Sequence, residues 1–263
     1  MPNRLLIFIP AYNCEAQLPR VLDKINQHIQ NLTSEILIID NHSKDQTLAR
    51  ARQGAEKIKI KMTILQNKEN YNLGGSIKRA FLYALENNYD YMITLHGDDQ
   101  ADIRDMLPIL DNHKQENYDM VIGARFHSQS VLKGYSVIRI IGNKVLNYIC
   151  SIINRRRVDD LIAGLNCYNI NFFRNKFFLL FPDDLTFDVH VLLYAFSEKA
   201  RIKYIPITWR EEDQISNAKA IRQAFVILRL FANYCLKGKN IFLLNTSKYP
   251  PDFAYPSEKV FSQ

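Results

Sequence analysis

The sequence predicts an α/β fold built on a mostly parallel central sheet flanked by helices. Three observations carry that expectation. Short continuous apolar runs recur through the first 125 positions. Segments with helical apolar spacing separate most of them. The runs stop in clusters of Asp, Asn and Gly. Strands buried on both faces read as unbroken apolar runs, and their alternation with helices makes βαβ units.

Taken in order, "RLLIFI" is the first strand and Pro10 ends it. Leu18, Val21, Leu22, Ile25 and Ile29 then recur at helical spacing. "EILIID" is the second strand, closing on Asp40, and "LARARQGAEK" the next helix. "KMTILQ" is the third strand. It is followed by the turn "NYNLGG" and the helix "SIKRAFLYALEN". "YMITL" is the fourth strand, running into the acidic loop "HGDDQAD", with a helix expected from Ile103 to about Glu116. "YDMVIGAR" is the fifth strand. Residues 137–153 form an amphipathic helix, apolar at Ile138, Ile141, Val145, Leu146, Ile149 and Ile153, and the basic knot "NRRR" follows. "RIKYIPITW" reads as one late strand and "AKAIRQAFVILRLFANYCLK" as a last helix. Residues 1–240 are expected to be one domain, with a nucleotide-binding half near 1–125 and an acceptor half near 126–240. The proline-bearing tail, 241–263, is expected to be extended or frayed.

The chain has 263 residues, 47% hydrophobic and 23% charged, which allows a sizeable core and excludes disorder. A net charge of +7 favours anionic partners. No RRM, KH or zinc pattern accompanies it, so nucleic acid is not an expected partner. The four cysteines have no C-x-x-C spacing, which suggests free thiols in a reducing cytoplasm. The apolar start is too short for a signal sequence, and no run of about 18 apolar residues offers a bilayer span.

In open α/β sheets, ligands bind beyond the carboxyl ends of the strands. Here those ends carry "PAYNC", "DNHSKD", "NKENYNLGG", "HGDDQ" and "GAR", an edge suited to a nucleotide or phosphate. No G-x-G-x-x-G follows the first strand and no P-loop exists, against dinucleotide and P-loop chemistry. "NLGGS" offers backbone amides for a phosphate or is an ordinary turn. Asp98 and Asp99 offer oxygen ligands for a hard cation, or form a solvated loop with Asp102 capping the next helix.

Together these motifs resemble family 2 glycosyltransferases of the GT-A fold. "PAYNC" matches that family's "PAYNE", "DNHSKDQT" its D-x-S-x-D-x-T with a one-residue shift, "NLGG" its glycine turn, and "HGDDQ" its D-x-D-x-Q. Within the family the chain looks most like polyprenyl-phosphate sugar synthases of the dolichyl-phosphate mannose synthase type. "GAR" with Arg125, "VIR" with Arg139 and "DLIAG" with Asp160 and Gly164 carry that likeness, which spans residues 4–219. His96 replaces the first Asp of the metal motif. In the late loop "WREEDQISNAK" only Ser216 fits the donor clamp, with Lys219 displaced.

The resemblance implies an inverting glycosyltransferase. It moves a sugar from a nucleotide-diphosphate sugar to a lipid-phosphate or glycan acceptor. Pro10, Ala11, Tyr12, Asp40, Asn72, Gly74 and Asp98 would bind the donor. Asp98, with Gln100 and His96, would hold Mg²⁺ or Mn²⁺. Asp98, Arg125 and Arg139 would form the catalytic set, the arginines holding an acceptor phosphate. A hydroxyl acceptor would need a base, for which Asp188 and His190 are the candidates. The two amphipathic segments and their arginines suggest a cytoplasmic enzyme with peripheral contact at the inner face of an anionic membrane. The alternatives are a hydroxyl-directed enzyme of cell-surface polysaccharide synthesis and a non-catalytic nucleotide-sugar-binding protein.

Overall fold

The computed structural model describes residues 3–161, 163–213 and 220–263. The chain runs through β1 (Leu5–Ala11), α1 (Leu18–Asp23), α2 (Gln27–Asn31), β2 (Glu35–Asp40), α3 (Thr47–Ala55) and β3 (Lys61–Asn67). It continues with α4 (Asn72–Glu86), β4 (Tyr91–Leu95), α5 (Leu107–Leu110), β5 (Met120–Ala124), β6 (Val131–Lys133) and α6 (Val137–Asn154). Then come β7 (Leu165–Asn169), α7 (Phe187–Ser197), β8 (Ile202–Pro206), β9 (Thr208–Arg210), α8 (Ala220–Lys237) and β10 (Ser257–Ser262).

Eight strands form one sheet in the order β10-β3-β2-β1-β4-β7-β5-β8, and β6 pairs with β9 in a small second sheet. Strands β3, β2, β1 and β4 run parallel, as do β5 and β8. The alternating side chains of each strand feed two cores. Leu6, Phe8, Leu37 and Met92 pack on one face with Phe81 of α4 and Phe187 of α7. Ile7, Ile9, Ile36, Ile38 and Ile93 pack on the other with Leu18, Val21 and Leu22 of α1. Each fully buried aliphatic or aromatic side chain contributes about 1.5–3 kcal/mol. The register Ala11↔Asp40 brings the ends of β1 and β2 side by side. Gly97 closes the acidic loop onto β1, its N–H donating to the Pro10 carbonyl at 3.1 Å. A Cβ there would stand 2.9 Å from that oxygen.

The structure corrects several sequence expectations. The long helix at 18–29 is two short ones, because Asn26 caps α2 by accepting from the Ile29 amide at 3.0 Å. The helix expected over 103–116 is broken. Two 3₁₀ turns flank the four-residue α5, and His113 adopts a left-handed φ of 50°. The single strand at 201–209 divides after Pro206, which has no N–H to continue a ladder. β7 was not expected, since Asn166 and Asn169 give it poor strand propensity. It lies antiparallel between β4 and β5. The tail does not fray. β10 pairs antiparallel with β3, and Tyr255 is buried against Lys78 and Asp183.

Candidate active site

The carboxyl edge begins with Pro10, the buried Ala11 and the exposed Tyr12 at the end of β1. Beside them Asp40 is fully buried. Its oxygens accept from the Ser43 amide at 3.3 Å and from Gln66 Nε2 at 3.0 Å. Asn41 binds the Tyr71 amide and Asn67, which fixes the loop after β3. That loop leads directly into α4, so "NLGG" is the helix's first turn and not a turn ahead of it. Asn72 is exposed with a φ of 60°. Gly74 has a packing reason: a Cβ would lie 2.8 Å from the Asp183 backbone and from Phe187 Cβ. The Gly75 amide is already spent on the Asp183 carbonyl at 3.2 Å. The phosphate cradle expected at Asn72 and Gly74 is thus largely taken up by close contact with the segment before α7.

The acidic loop separates its two aspartates. Asp99 is buried with a φ of 62°. It accepts from Arg20 Nε at 2.8 Å, from Lys24 Nζ, and from Arg210 Nη2 at 3.4 Å. Three cations neutralise it, so its role is to hold the loop. Among the described residues, no cation pairs with Asp98, which accepts the Gln100 amide at 3.2 Å. Burial raises its carboxyl above the usual range, against the nearby His96. Burial also lowers the His96 imidazole, and its Nε2 is a buried atom without a hydrogen-bond partner. The ring lies against Gly164, where a Cβ would come 3.0 Å from it. A neutral imidazole with a free nitrogen and an unpaired carboxylate are both competent cation ligands. Gln100 points elsewhere: Nε2 donates to Glu211 Oε1 at 3.3 Å.

On the acceptor side Arg125 and Asp160, two of the motif residues, are brought together. Arg125 Nε and Nη2 donate to Asp160 at 2.8 Å each, and Nη1 to the Tyr135 hydroxyl at 3.3 Å. The guanidinium also lies over the Trp209 ring at 5.0 Å. Two nitrogens of its fork are engaged by Asp160, so within the protein Arg125 also acts as an internal brace. Arg139 is less buried. It stacks on Tyr135 at 4.6 Å and donates to both oxygens of Glu211, one at 2.6 Å. Asp188 and His190 are buried in α7. Asp188 accepts a long bond from Tyr168 at 3.5 Å, and His190 Nδ1 meets the Thr186 carbonyl at 2.9 Å. Neither is hydrogen-bonded or ion-paired to Asp98, Arg125 or Arg139. Ser216 and Lys219 lie outside the described residues.

The family model for glycosyl transferase family 2 matches residues 6–180. The chain belongs to that family. A dolichyl-phosphate beta-glucosyltransferase of Dictyostelium discoideum is 25% identical, over 88% of this chain and 75% of that one. An uncharacterised protein of Methanocaldococcus jannaschii is 26% identical, over 86% and 90% respectively. Among solved structures, glucosyl-3-phosphoglycerate synthase from Mycobacterium tuberculosis, in complex with Mn²⁺, UDP-glucose and glycerol 3-phosphate, superposes with a TM-score of 0.62. It is 15% identical and covers 87% of this chain and 80% of that one. The fold is therefore GT-A, and this family 2 glycosyltransferase is an enzyme.

Sequence reasoning did not single out Arg20, Lys24 or Glu211, which the fold brings to the candidate site. Their partners Asp99, Gln100 and Arg139 lie 72 to 111 positions away, so no local pattern points to them.

Proposed function

We propose that this glycosyltransferase moves a sugar from a nucleotide-diphosphate sugar to the phosphate of a polyprenyl-phosphate acceptor at a membrane surface, inverting the anomeric carbon. The observation that carries the reading is the setting of Arg139. It sits in the first turn of α6, whose exposed face carries Val137, Ile138, Ile141, Val145, Tyr148 and Ile152. A guanidinium at the root of an apolar face suits an anionic head group on a lipid chain. The likeness to a dolichyl-phosphate beta-glucosyltransferase over most of both chains supports it.

Pro10, Ala11 and Tyr12 would line the base, with Asp40 at the ribose. Asp98 and His96 fit Mg²⁺ or Mn²⁺, and Mn²⁺ better tolerates imidazole. When bound, such a cation neutralises charge on the departing diphosphate. Arg139 orients the acceptor phosphate. A phosphate monoester, with a second pKa near 6, is already nucleophilic at neutral pH and needs no base. Its oxygen attacks the anomeric carbon opposite the leaving diphosphate, so one displacement inverts the centre. The burial of Asp188 and His190 agrees with a reaction that uses neither as a base.

α6 and α8 pack against each other, and α8 also exposes Ile221, Phe225 and Leu236. Arg222 and Arg229 border a surface depression beside Phe225. Among the described residues no helix is long and apolar enough to cross a membrane. These features support peripheral contact with an anionic bilayer.

The test is transfer from UDP- and GDP-sugars to a short polyprenyl phosphate with Mn²⁺ or Mg²⁺. Asp98→Ala serves as control, and the product's anomeric coupling is read by NMR. A sugar phosphodiester of inverted configuration is expected. Transfer only to hydroxyl acceptors, or donor binding with no transfer at all, would overturn the reading.

A further inference from the structure

We infer that Glu211 holds the place of the acceptor phosphate on Arg139, and so makes the enzyme select acceptors that carry a phosphate. The inference rests on the reading of Arg139 given above.

The position of Glu211 is built from both sides. Its N–H donates to the Lys133 carbonyl at 2.9 Å. Its own carbonyl lies where a Cβ on Gly134 would fall, 2.1 Å away, and Gly134 has a φ of +72°. Only glycine lets the backbones approach so closely. The preceding residue, Arg210, is tied to the acidic loop, its N–H donating to the Gln100 carbonyl at 2.9 Å. The carboxylate is thus delivered to Arg139 by a fixed backbone. Both its oxygens take Arg139 Nη1, while Tyr135 supports the other face of that guanidinium.

A carboxylate and a phosphate present similar anionic oxygens to a guanidinium. A phosphate monoester carries nearly two charges and three strong acceptor oxygens, against one charge on Glu211. It can displace the carboxylate. A neutral hydroxyl acceptor offers Arg139 only an uncharged oxygen, too weak to displace the carboxylate, and leaves the pair closed. Glu211 therefore sets a threshold that only a sufficiently charged head group passes. The same Oε1 accepts from Gln100, two residues beyond Asp98. Moving Glu211 therefore frees the side chain of Gln100, and acceptor arrival is communicated to the loop that carries Asp98.

The experiment is calorimetry of a short-chain polyprenyl phosphate and of a monoanionic prenyl sulfate of equal length. The proteins are the wild type, Glu211→Gln, Glu211→Asp and the double variant Glu211→Gln/Arg139→Ala. Circular dichroism melts report whether each variant is folded. Glu211→Gln should bind the phosphate about two- to fivefold tighter, the range expected for release of a partly exposed ion pair. It should gain more for the sulfate, narrowing the preference between the two. Glu211→Asp, which withdraws the charge by one methylene, should move in the same direction. Both gains should vanish in the double variant. If the wild type binds the phosphate and neither folded single variant binds it more tightly, Glu211 is not a stand-in. If nothing binds the phosphate while nucleotide diphosphate still binds, the acceptor reading itself fails, and the inference with it.

Discussion

The edge proposed to take the donor and the side proposed to take the acceptor treat their polar groups differently. At the donor edge Asp40, Asn41 and Asn67 are buried and bound to one another's loops, and Asp99 is held by three cations. Much of that edge is fixed by the protein's own hydrogen bonds, with Asp98 and His96 the exceptions. On the other side Arg139 and Glu211 form a partly exposed pair, next to aliphatic side chains left in water. One region is largely preorganised, and in the proposal above the other changes partners when its ligand arrives. Preformed sites lose little freedom on binding, whereas exchangeable ones gain selectivity through what must be displaced.

The comparison can be broken most forcefully at Arg125, the preorganised element on the side proposed for the acceptor. Arg125→Ala removes the guanidinium that pairs with the buried Asp160 and should cost about 3–5 kcal/mol of stability in urea unfolding. A loss confined to acceptor use, with stability intact, would return Arg125 to the ligand-reading group. Asp188 comes next. Burial raises its carboxyl to about 7, far above its unfolded value, so the folded form holds a proton that the unfolded form releases. Its stabilising contribution is full in acid and is lost as pH rises from about 4 to 7. Asp188→Asn should therefore raise the unfolding free energy at pH 8, by up to about 4 kcal/mol in urea titration, and flatten the pH dependence across that window.

On the donor side, Asp98→Ala should lower transfer by roughly a hundred- to a thousandfold. Nucleotide-diphosphate affinity should then become insensitive to EDTA in calorimetry. Arg139→Lys keeps the charge but not the fork, so acceptor use should fall about ten- to a hundredfold, with donor affinity unchanged. The smallest effect belongs to the exposed face of α6. Ile138→Ser should weaken sedimentation with anionic liposomes by about 1 kcal/mol, with little change in melting temperature. Equal loss of stability would mean that the residue packs and does not dock.

The first five strands were legible because each is an apolar run with no competing period. α6 and α8 were legible because their apolar stripes repeat at helical spacing. β7 was not, since its side chains alternate with asparagines and its strand identity comes from the neighbours that flank it. In the site, Asp98 and Asp99 differ in their pairing, and the reason is invisible locally. It depends on Arg20 and Lys24 from α1 and Arg210 from β9 converging on one carboxylate. The pairing of Arg125 with Asp160 was hidden in the same way, since a motif gives an arginine's place but not which partner claims it.

The seam between β10 and β3 bears on how the fold is assembled. The partner of Asn67 is Ser257, roughly 190 residues further along the chain. Until it docks, β3 presents an open row of amides and carbonyls at the edge of the sheet, prone to pair with another molecule. Tyr255, inserted beside the buried Lys78 and Asp183, fastens that closure from within. The half of the protein made first is therefore completed last. Its window of vulnerability to aggregation lasts as long as synthesis of everything between the two strands.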